Sequence, residues 1–359
     1  MLTAEGCRDR RRRLLDRLRP TQSLLLADPV HLRYLANYHV DPFHFSGDQG
    51  GLLLLRSDGS TTLWHDNKLP GSVKQTHVDE VVVVPWYDGL SPGRGVRRLL
   101  FYETIQKHGG RVHDNLTDPY SRVVIETIAD LRRRKDPDEI AVLKQCMRAT
   151  EIGHAWARKN IHAGMSELDV YLGVANACQE TAGQPAIVYG DFAVSPGPVR
   201  RGGPPTNRLL ADGDMFILDY SVILWGYRSD FTNTLVVGGN PNANQTRLYE
   251  LCIAAMAAGE RELRDGAPCL AVYQAVNRVF ERAGLADKFP HHAGHGLGLT
   301  HPENPYIVRT ANEILEPANV VTLEPGLYVE SIGGIRIEHN YLITLSGFER
   351  LSDHEIRLV

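Results

Sequence analysis

Four carboxylates stand in or against apolar strand sequence in the C-terminal half of this chain, and that placement limits what the chain can fold into. Asp219 follows Met215-Phe-Ile-Leu218, and Asp230 follows Tyr227-Arg-Ser229. Glu324 follows Val320-Val-Thr-Leu323, and Glu338 closes Ile335-Arg-Ile-Glu338. Buried strands seldom carry ionised acids, because unpaired charge in a core is costly. Gly226 marks a turn in the first strand pair, and Gly326 with Gly333-Gly334 marks a turn region in the second. Two such hairpins facing each other would bring all four acids into one pocket. Like charges that close cannot all stay ionised without cations. Divalent metal ions are the economical answer.

His295, within His291-His-Ala-Gly-His-Gly-Leu-Gly298, would add a neutral imidazole from a glycine-rich turn. Four carboxylates and one histidine form an oxygen-dominated set. Such a set favours Mn²⁺, with Co²⁺, Zn²⁺ or Fe²⁺ as alternatives, over a thiolate-type zinc site. Shared carboxylates would hold two ions roughly 3.5–4 Å apart, with a bridging hydroxide as nucleophile. Taken singly, each acid also reads as a turn cap, an ion-pair partner or an exposed residue. The joint pattern carries the metal reading.

The rest of the pattern is mixed α/β. Residues 8–19 read as a helix stopped by Pro20. Ser23–Ala27, Gly51–Leu55 and Thr61–Trp64 read as strands, the last two joined by the hairpin signal Arg56-Ser-Asp-Gly59. Val81–Val84 reads as a buried strand. A helix follows from about Ser121, and Asp136-Pro-Asp-Glu139 caps the next one, whose stripe is Ile140, Leu143, Cys146 and Met147. Ser166-Glu-Leu-Asp169 resembles a capping box for a helix to about Ala182. Strands at Met215–Leu218 and Ser229–Val237 come next, then a helix pair over roughly Asn244–Gly284 with Gly266 between. Strands at Val320–Leu323 and Ile335–Ile343 complete a second unit like the first. We expect a domain over residues 1–130 and another over 131–359.

The chain has 359 residues, 43% hydrophobic and 23% charged, so it can bury a sizeable core. Its net charge of −4 leaves no footprint for nucleic acid or for an anionic membrane. No stretch approaches the roughly 18 apolar residues of a membrane span. Five scattered cysteines, with no CxxC pair, fit reduced thiols in the cytoplasm. Arg8 and Arg10 to Arg13 precede no signal-length apolar run, so they read as the solvated face of a first helix rather than an address. Gly294, Gly296 and Gly298 do not make a nucleotide loop, and HExxH and GxSxG are both lacking.

Together, Gly213-Asp-Met-Phe-Ile-Leu-Asp219, Gly226-Tyr-Arg-Ser-Asp230, Gly294-His-Gly-Leu-Gly298, Glu324-Pro-Gly-Leu-Tyr328 and Gly334-Ile-Arg-Ile-Glu338 resemble the pita-bread metallopeptidases, the Xaa-Pro aminopeptidase, prolidase and methionine aminopeptidase group. The eleven-residue step from Asp219 to Asp230 fits as well. Tyr34-Leu35 and Arg134-Lys-Asp-Pro-Asp-Glu-Ile140 are similar to the creatinase-type first domain of prolidases. The resemblance implies a pita-bread catalytic domain with an internal pseudo-two-fold repeat, and a homodimer. It implies that Asp219 chelates one ion, that His295 and Glu324 chelate the other, and that Asp230 and Glu338 bridge. Glu324 would also shuttle a proton between the attacking water and the leaving nitrogen. His291 would assist near the substrate, and Arg336, two residues before Glu338 on the same strand face, would orient the acids.

Some positions depart from that family. Its substrate-binding histidine falls, by count, on Gly202, seventeen residues before Asp219. The second histidine, His301, comes six residues after His295 instead of seven, while Ser221 and Asn233 replace a glycine and an arginine. These changes alter the substrate shell and leave the ligands intact. Arg200 and Arg201 are candidates to receive a substrate carboxylate, with a solvent-facing loop as the alternative. His292, the loop His39–His44 and Trp225 read more simply as packing or surface. Three functions follow: an Xaa-Pro dipeptidase or aminopeptidase, an amidase-like hydrolase of a small non-peptide C–N compound, and a non-catalytic pita-bread binding module.

Overall fold

The computed structural model describes residues 1–40, 50–68, 71, 73–116, 118–195 and 201–359. The chain divides into two compact units, Met1–Arg132 and Arg133–Val359. In the first, α1 (Ala4–Leu18), β1 (Leu24–Leu26) and α2 (Pro29–Ala36) precede β2 (Leu52–Leu55), β3 (Thr61–Asp66) and β4 (Glu80–Val84). The short α3 (Tyr102–Lys107) and α4 (Pro119–Arg133) follow. The four strands form one sheet in chain order. Leu55 pairs with Thr61 across the hairpin predicted at Arg56–Gly59, where Gly59 takes a positive φ of 87°.

Two expectations fail here for physical reasons. Helix α1 starts at Ala4 rather than residue 8, and its arginines are not all solvated. Arg10 and Arg11 are buried. Arg10 Nε donates to Tyr34 O (2.8 Å) and Arg11 Nη1 to Leu35 O (2.7 Å), satisfying carbonyls at the open end of α2. Strand β4 is not buried: it is the outer, parallel strand of the sheet, and Val81 and Val83 are exposed.

The second unit contains two similar layers. In the first, α5 (Pro137–Asn160) and α6 (Glu167–Ala182) cover β5 (Ile187–Val194), β6 (Met215–Leu224), β7 (Tyr227–Arg228) and β8 (Phe231–Val236). Both expected caps form: Asp136 with Glu139, and Ser166 with Asp169. In the second, α7 (Ala243–Glu260) and α8 (Cys269–Arg282) lie over β9 (Gly294–Gly296), β10 (Glu303–Ile307), β11 (Val320–Leu323), β12 (Gly326–Val329), β13 (Gly333–Arg336), β14 (His339–Thr344) and β15 (Gly347–Arg350). Leu248, Cys252, Val276 and Phe280 of the helices share one core with Val321, Leu323, Ile335 and Tyr341. Burial of each large apolar side chain there contributes about 1.5–3 kcal/mol.

Strand breaks position the acids. The strand expected at 229–237 forms only over Phe231–Val236, and Ser229-Asp230 lie in a break between β7 and β8. The strand expected at 335–343 is interrupted at Ile337-Glu338, and its halves join different sheets: β13 pairs with β12, while β14 pairs with β11. Glu324 occupies the matching break between β11 and β12. Asp230, Glu324 and Glu338 therefore sit where the ladder opens, whereas Asp219 lies within the continuous strand β6. His295 lies not on a turn but on β9, between β10 and β11. A Cβ at Gly294 would stand 2.1 Å from Thr322 O, and one at Gly296 2.1 Å from Asn304 O, so these glycines permit close strand approach. Strands β5 and β10 were not anticipated.

Candidate metal centre

One register row explains why acids from distant positions meet. Asp191 on β5 is opposite Asp219 on β6, and Asp219 is opposite Thr232 on β8. Thr232 reaches across the break, its hydroxyl donating to Glu338 Oε2 at 2.7 Å. The backbone N–H of Glu338 donates to Thr232 O at 3.0 Å, fixing the same junction. Asn340 ties the two layers together with both ends of its amide: Asp230 N donates to Asn340 Oδ1, and Asn340 Nδ2 donates to Asp230 O. Asp219, Asp230 and Glu338 each offer an oxygen, all within 4.8 Å of one another.

The other side is richer in nitrogen. His295 Nε2 lies 3.5 Å from Asp230 Oδ2 and 3.4 Å from Glu324 Oε1. Its Nδ1 is 2.9 Å from Gly296 O and so carries the proton, leaving the Nε2 lone pair for the cluster. Thr322 serves both neighbours: its hydroxyl accepts from His295 N and donates to Glu324 Oε1. His301 Nε2 is 2.6 Å from Asp230 Oδ2, and His292 Nε2 is 3.0 Å from Glu324 Oε1. The oxygen-dominated set expected from sequence thus has two further imidazoles at its edge.

Charge in the site is unbalanced. Burial pushes the Asp219 carboxyl up to about 7, although the adjoining Arg336 opposes this and Asp230 adds repulsion. Glu338 is pushed well up by burial and by the charges of Asp230, Glu324 and Asp219. For Glu324 burial also acts upward, but His292, His295 and His291 outweigh it and hold the carboxyl below its ordinary range. Glu338 Oε1 is buried with no hydrogen-bond partner among the described residues. Positive charge among Asp219, Asp230 and Glu338 would relieve the repulsion and satisfy that oxygen. The residues therefore fit divalent cations.

Arg336 pairs with Asp219 and, at 2.6 Å, with Asp191, and it donates to Tyr328 Oη at 2.8 Å. Tyr328 in turn lies 3.2 Å from His291 Nε2. A pocket of about 340 Å³ opens onto these groups.

Comparison with known proteins decides the family. The model of Metallopeptidase family M24 matches residues 141–345. The chain belongs to metallopeptidase family M24. An uncharacterized peptidase of Staphylococcus epidermidis is 31% identical to this M24 protein over 241 residues, 65% of this chain and 66% of that one. The fold is similar to that of an Xaa-Pro dipeptidase from Bacillus anthracis (TM-score 0.81, 22% identity, 99% of each chain). It is also similar to an X-Pro aminopeptidase from Thermotoga maritima (TM-score 0.79, 18% identity, all of each chain). The M24 chain therefore has the pita-bread architecture expected from its motifs and is a hydrolase of the metallopeptidase class.

Of the residues singled out in the M24 sequence, Asp219, Asp230, His291, His295, His301, Glu324, Arg336 and Arg201 all border the pocket. Glu338 joins the same cluster through its contacts with Thr232. Arg200 and the His39–His44 loop from residue 41 onward lie outside the described residues. Arg336 and Glu338 are not on one strand face, since β13 ends at Arg336 and Glu338 is in the break. Asp191, Thr232, Tyr328 and His292 were not read as site residues. The apolar runs flanking Gly190-Asp191 were a usable signal for a strand bearing an acid.

Proposed function

We propose that this M24 protein is a dinuclear metal-dependent Xaa-Pro peptidase, a dipeptidase or aminopeptidase, with residues 1–130 as a creatinase-like domain and 131–359 as the catalytic domain. The observation that carries the reading is Glu338 Oε1, buried without a partner amid three other carboxylates. Asp219, Asp230 and Glu338 would hold one ion, and Asp230, His295, Glu324 and Glu338 the other. Mn²⁺ suits the oxygen-only position best, with Co²⁺, Zn²⁺ or Fe²⁺ as alternatives. Bound divalent ions supply Lewis acidity toward the scissile carbonyl and lower the pKa of water.

The chain's own residues do the rest. Glu324 takes a proton from the attacking water and returns it to the leaving nitrogen. His291 and His301 line the pocket and hold the substrate's polar groups. Arg336 fixes the Asp219 carboxylate. Arg201 borders the pocket, where it can receive a substrate carboxylate; Arg200 is its proposed companion.

A second reading keeps the metals and changes the substrate to a small non-peptide C–N compound. What favours it is Gly202, where a Cβ would stand 1.7 Å from Asp191 Oδ2. The Asp191–Arg336 pair thus fills the space a side chain at 202 would need.

We place the protein in the cytoplasm as a homodimer acting on small molecules or peptides. Five buried cysteines support the compartment, and among the described residues no helix is long and apolar enough to cross a membrane. The reading is tested by hydrolysis of Xaa-Pro di- and tripeptides by the Mn²⁺-loaded protein, beside cyclic amidines and N-acyl amino acids. Turnover of the latter alone selects the second reading.

A further inference from the structure

The two cation positions differ in their donors. Asp219, Asp230 and Glu338 offer only oxygen. On the other side, His295 Nε2 stands 3.4 Å from Glu324 Oε1, and His292 Nε2 stands 3.0 Å from that same oxygen. The two rings are 5.2 Å apart and nearly perpendicular, at 83°. Donor atoms bound to one ion at about 2.0–2.2 Å are separated by about 3.0–3.5 Å in octahedral or tetrahedral geometry. Both nitrogens meet that spacing against Glu324 Oε1.

His291 is not equivalent, although it also approaches Glu324. Its Nδ1 is engaged by His292 O at 2.8 Å and its Nε2 by the Tyr328 hydroxyl at 3.2 Å. The neighbouring backbone is anchored, because Ala293 N donates to Ile307 O and Glu324 N donates to Ala293 O. That anchoring sets residue 292 directly beside Glu324. The His292 side chain is 37% exposed, so it approaches Glu324 Oε1 from the solvent side.

We propose that His292 is a further nitrogen ligand to the ion held by His295 and Glu324, and that it biases this position toward Co²⁺ or Zn²⁺ over Mn²⁺. This rests on the metal-site reading above. Imidazole suits cobalt and zinc, while manganese prefers carboxylate and water. A second imidazole therefore adds more to the binding of Co²⁺ or Zn²⁺ than of Mn²⁺.

The test is equilibrium binding of Co²⁺ and of Mn²⁺ to metal-free full-length protein and to His292→Ala, with the visible absorption of the Co²⁺ form as a second readout. His292→Asn serves as a second variant if the alanine protein does not fold. We expect the variant to lose roughly tenfold or more in Co²⁺ affinity at one of two positions, with shifted visible bands. Mn²⁺ affinity should change by less than about threefold on the same scale. Unchanged Co²⁺ affinity and spectrum, or an equal loss for Mn²⁺, overturns the role of His292 and leaves the metal site standing. Wild-type protein that binds neither ion overturns both.

Discussion

The Thr232 hydroxyl donates to Glu338 Oε2 at 2.7 Å, across the break that separates β13 from β14. This single contact aims the other oxygen, Oε1, into the acid cluster. Thr232→Val keeps the shape of the side chain and removes the donor. We predict that it lowers divalent-metal affinity by about 10–100-fold, as loss of a ligand's supporting hydrogen bond does elsewhere. Titration calorimetry on metal-free protein checks this. Unchanged affinity would show that Glu338 needs no such aiming.

Proton and metal compete for Asp219, whose carboxyl is pushed up to about 7, chiefly by burial. A carboxyl raised in the folded state stabilises the metal-free protein below its unfolded value, and that contribution is lost as pH rises through about 7. Asp219→Asn removes the titration. In denaturant melts with chelator present, its stability relative to wild type should therefore improve from about pH 5 to about pH 8. A difference independent of pH would contradict the raised carboxyl.

Gly202 lies against the Asp191 carboxylate, where an added Cβ would come within 1.7 Å of Oδ2. Gly202→Ala must displace Asp191 from Arg336, whose other partner is Asp219. We predict a loss of about 1–3 kcal/mol in stability and a fall in turnover larger than any change in KM. Denaturation and steady-state kinetics measure the two effects. A variant with wild-type kinetics would mean that Asp191 plays no part in holding Arg336.

Lys135 Nζ and Glu303 Oε1 pair at 2.7 Å, and both side chains are buried. Glu303 also accepts from the Thr300 hydroxyl at 2.9 Å, which pins the shortened loop that carries His301. Lys135→Met removes the buried ammonium that faces Glu303 and should cost about 3–5 kcal/mol. Lys135→Met combined with Glu303→Gln should recover part of that. Equal losses in the single and double variants, read by denaturant unfolding, would show that the pair carries no coupling.

Much of the site was legible in the sequence because charge inside apolar strand sequence is rare. Asp219, Glu324 and Glu338 each end or interrupt such a run, and the structure gathers them. The strand breaks themselves were not legible. The alternating start of Ile335–Ile343, with no Gly or Pro inside it, reads as one strand and hides the switch between sheets, which is set by pairing with β12 and β11 rather than by local preference. Gly294 and Gly296 looked like turn residues, but strand crowding requires them. His292 became visible only through loop anchoring, a long-range relation that no local pattern encodes, and Asp191, though flanked by apolar runs, needed the register to place it opposite Asp219. Arg10 and Arg11 misled for the same reason, since their partners lie on α2 and beyond.

The most direct measurement is metal content by mass spectrometry on protein purified without chelators, paired with hydrolysis of Xaa-Pro di- and tripeptides. About two divalent ions per chain, together with turnover of at least one peptide, is the predicted result. A folded protein that takes up no divalent ion, even when supplied in excess, would contradict it.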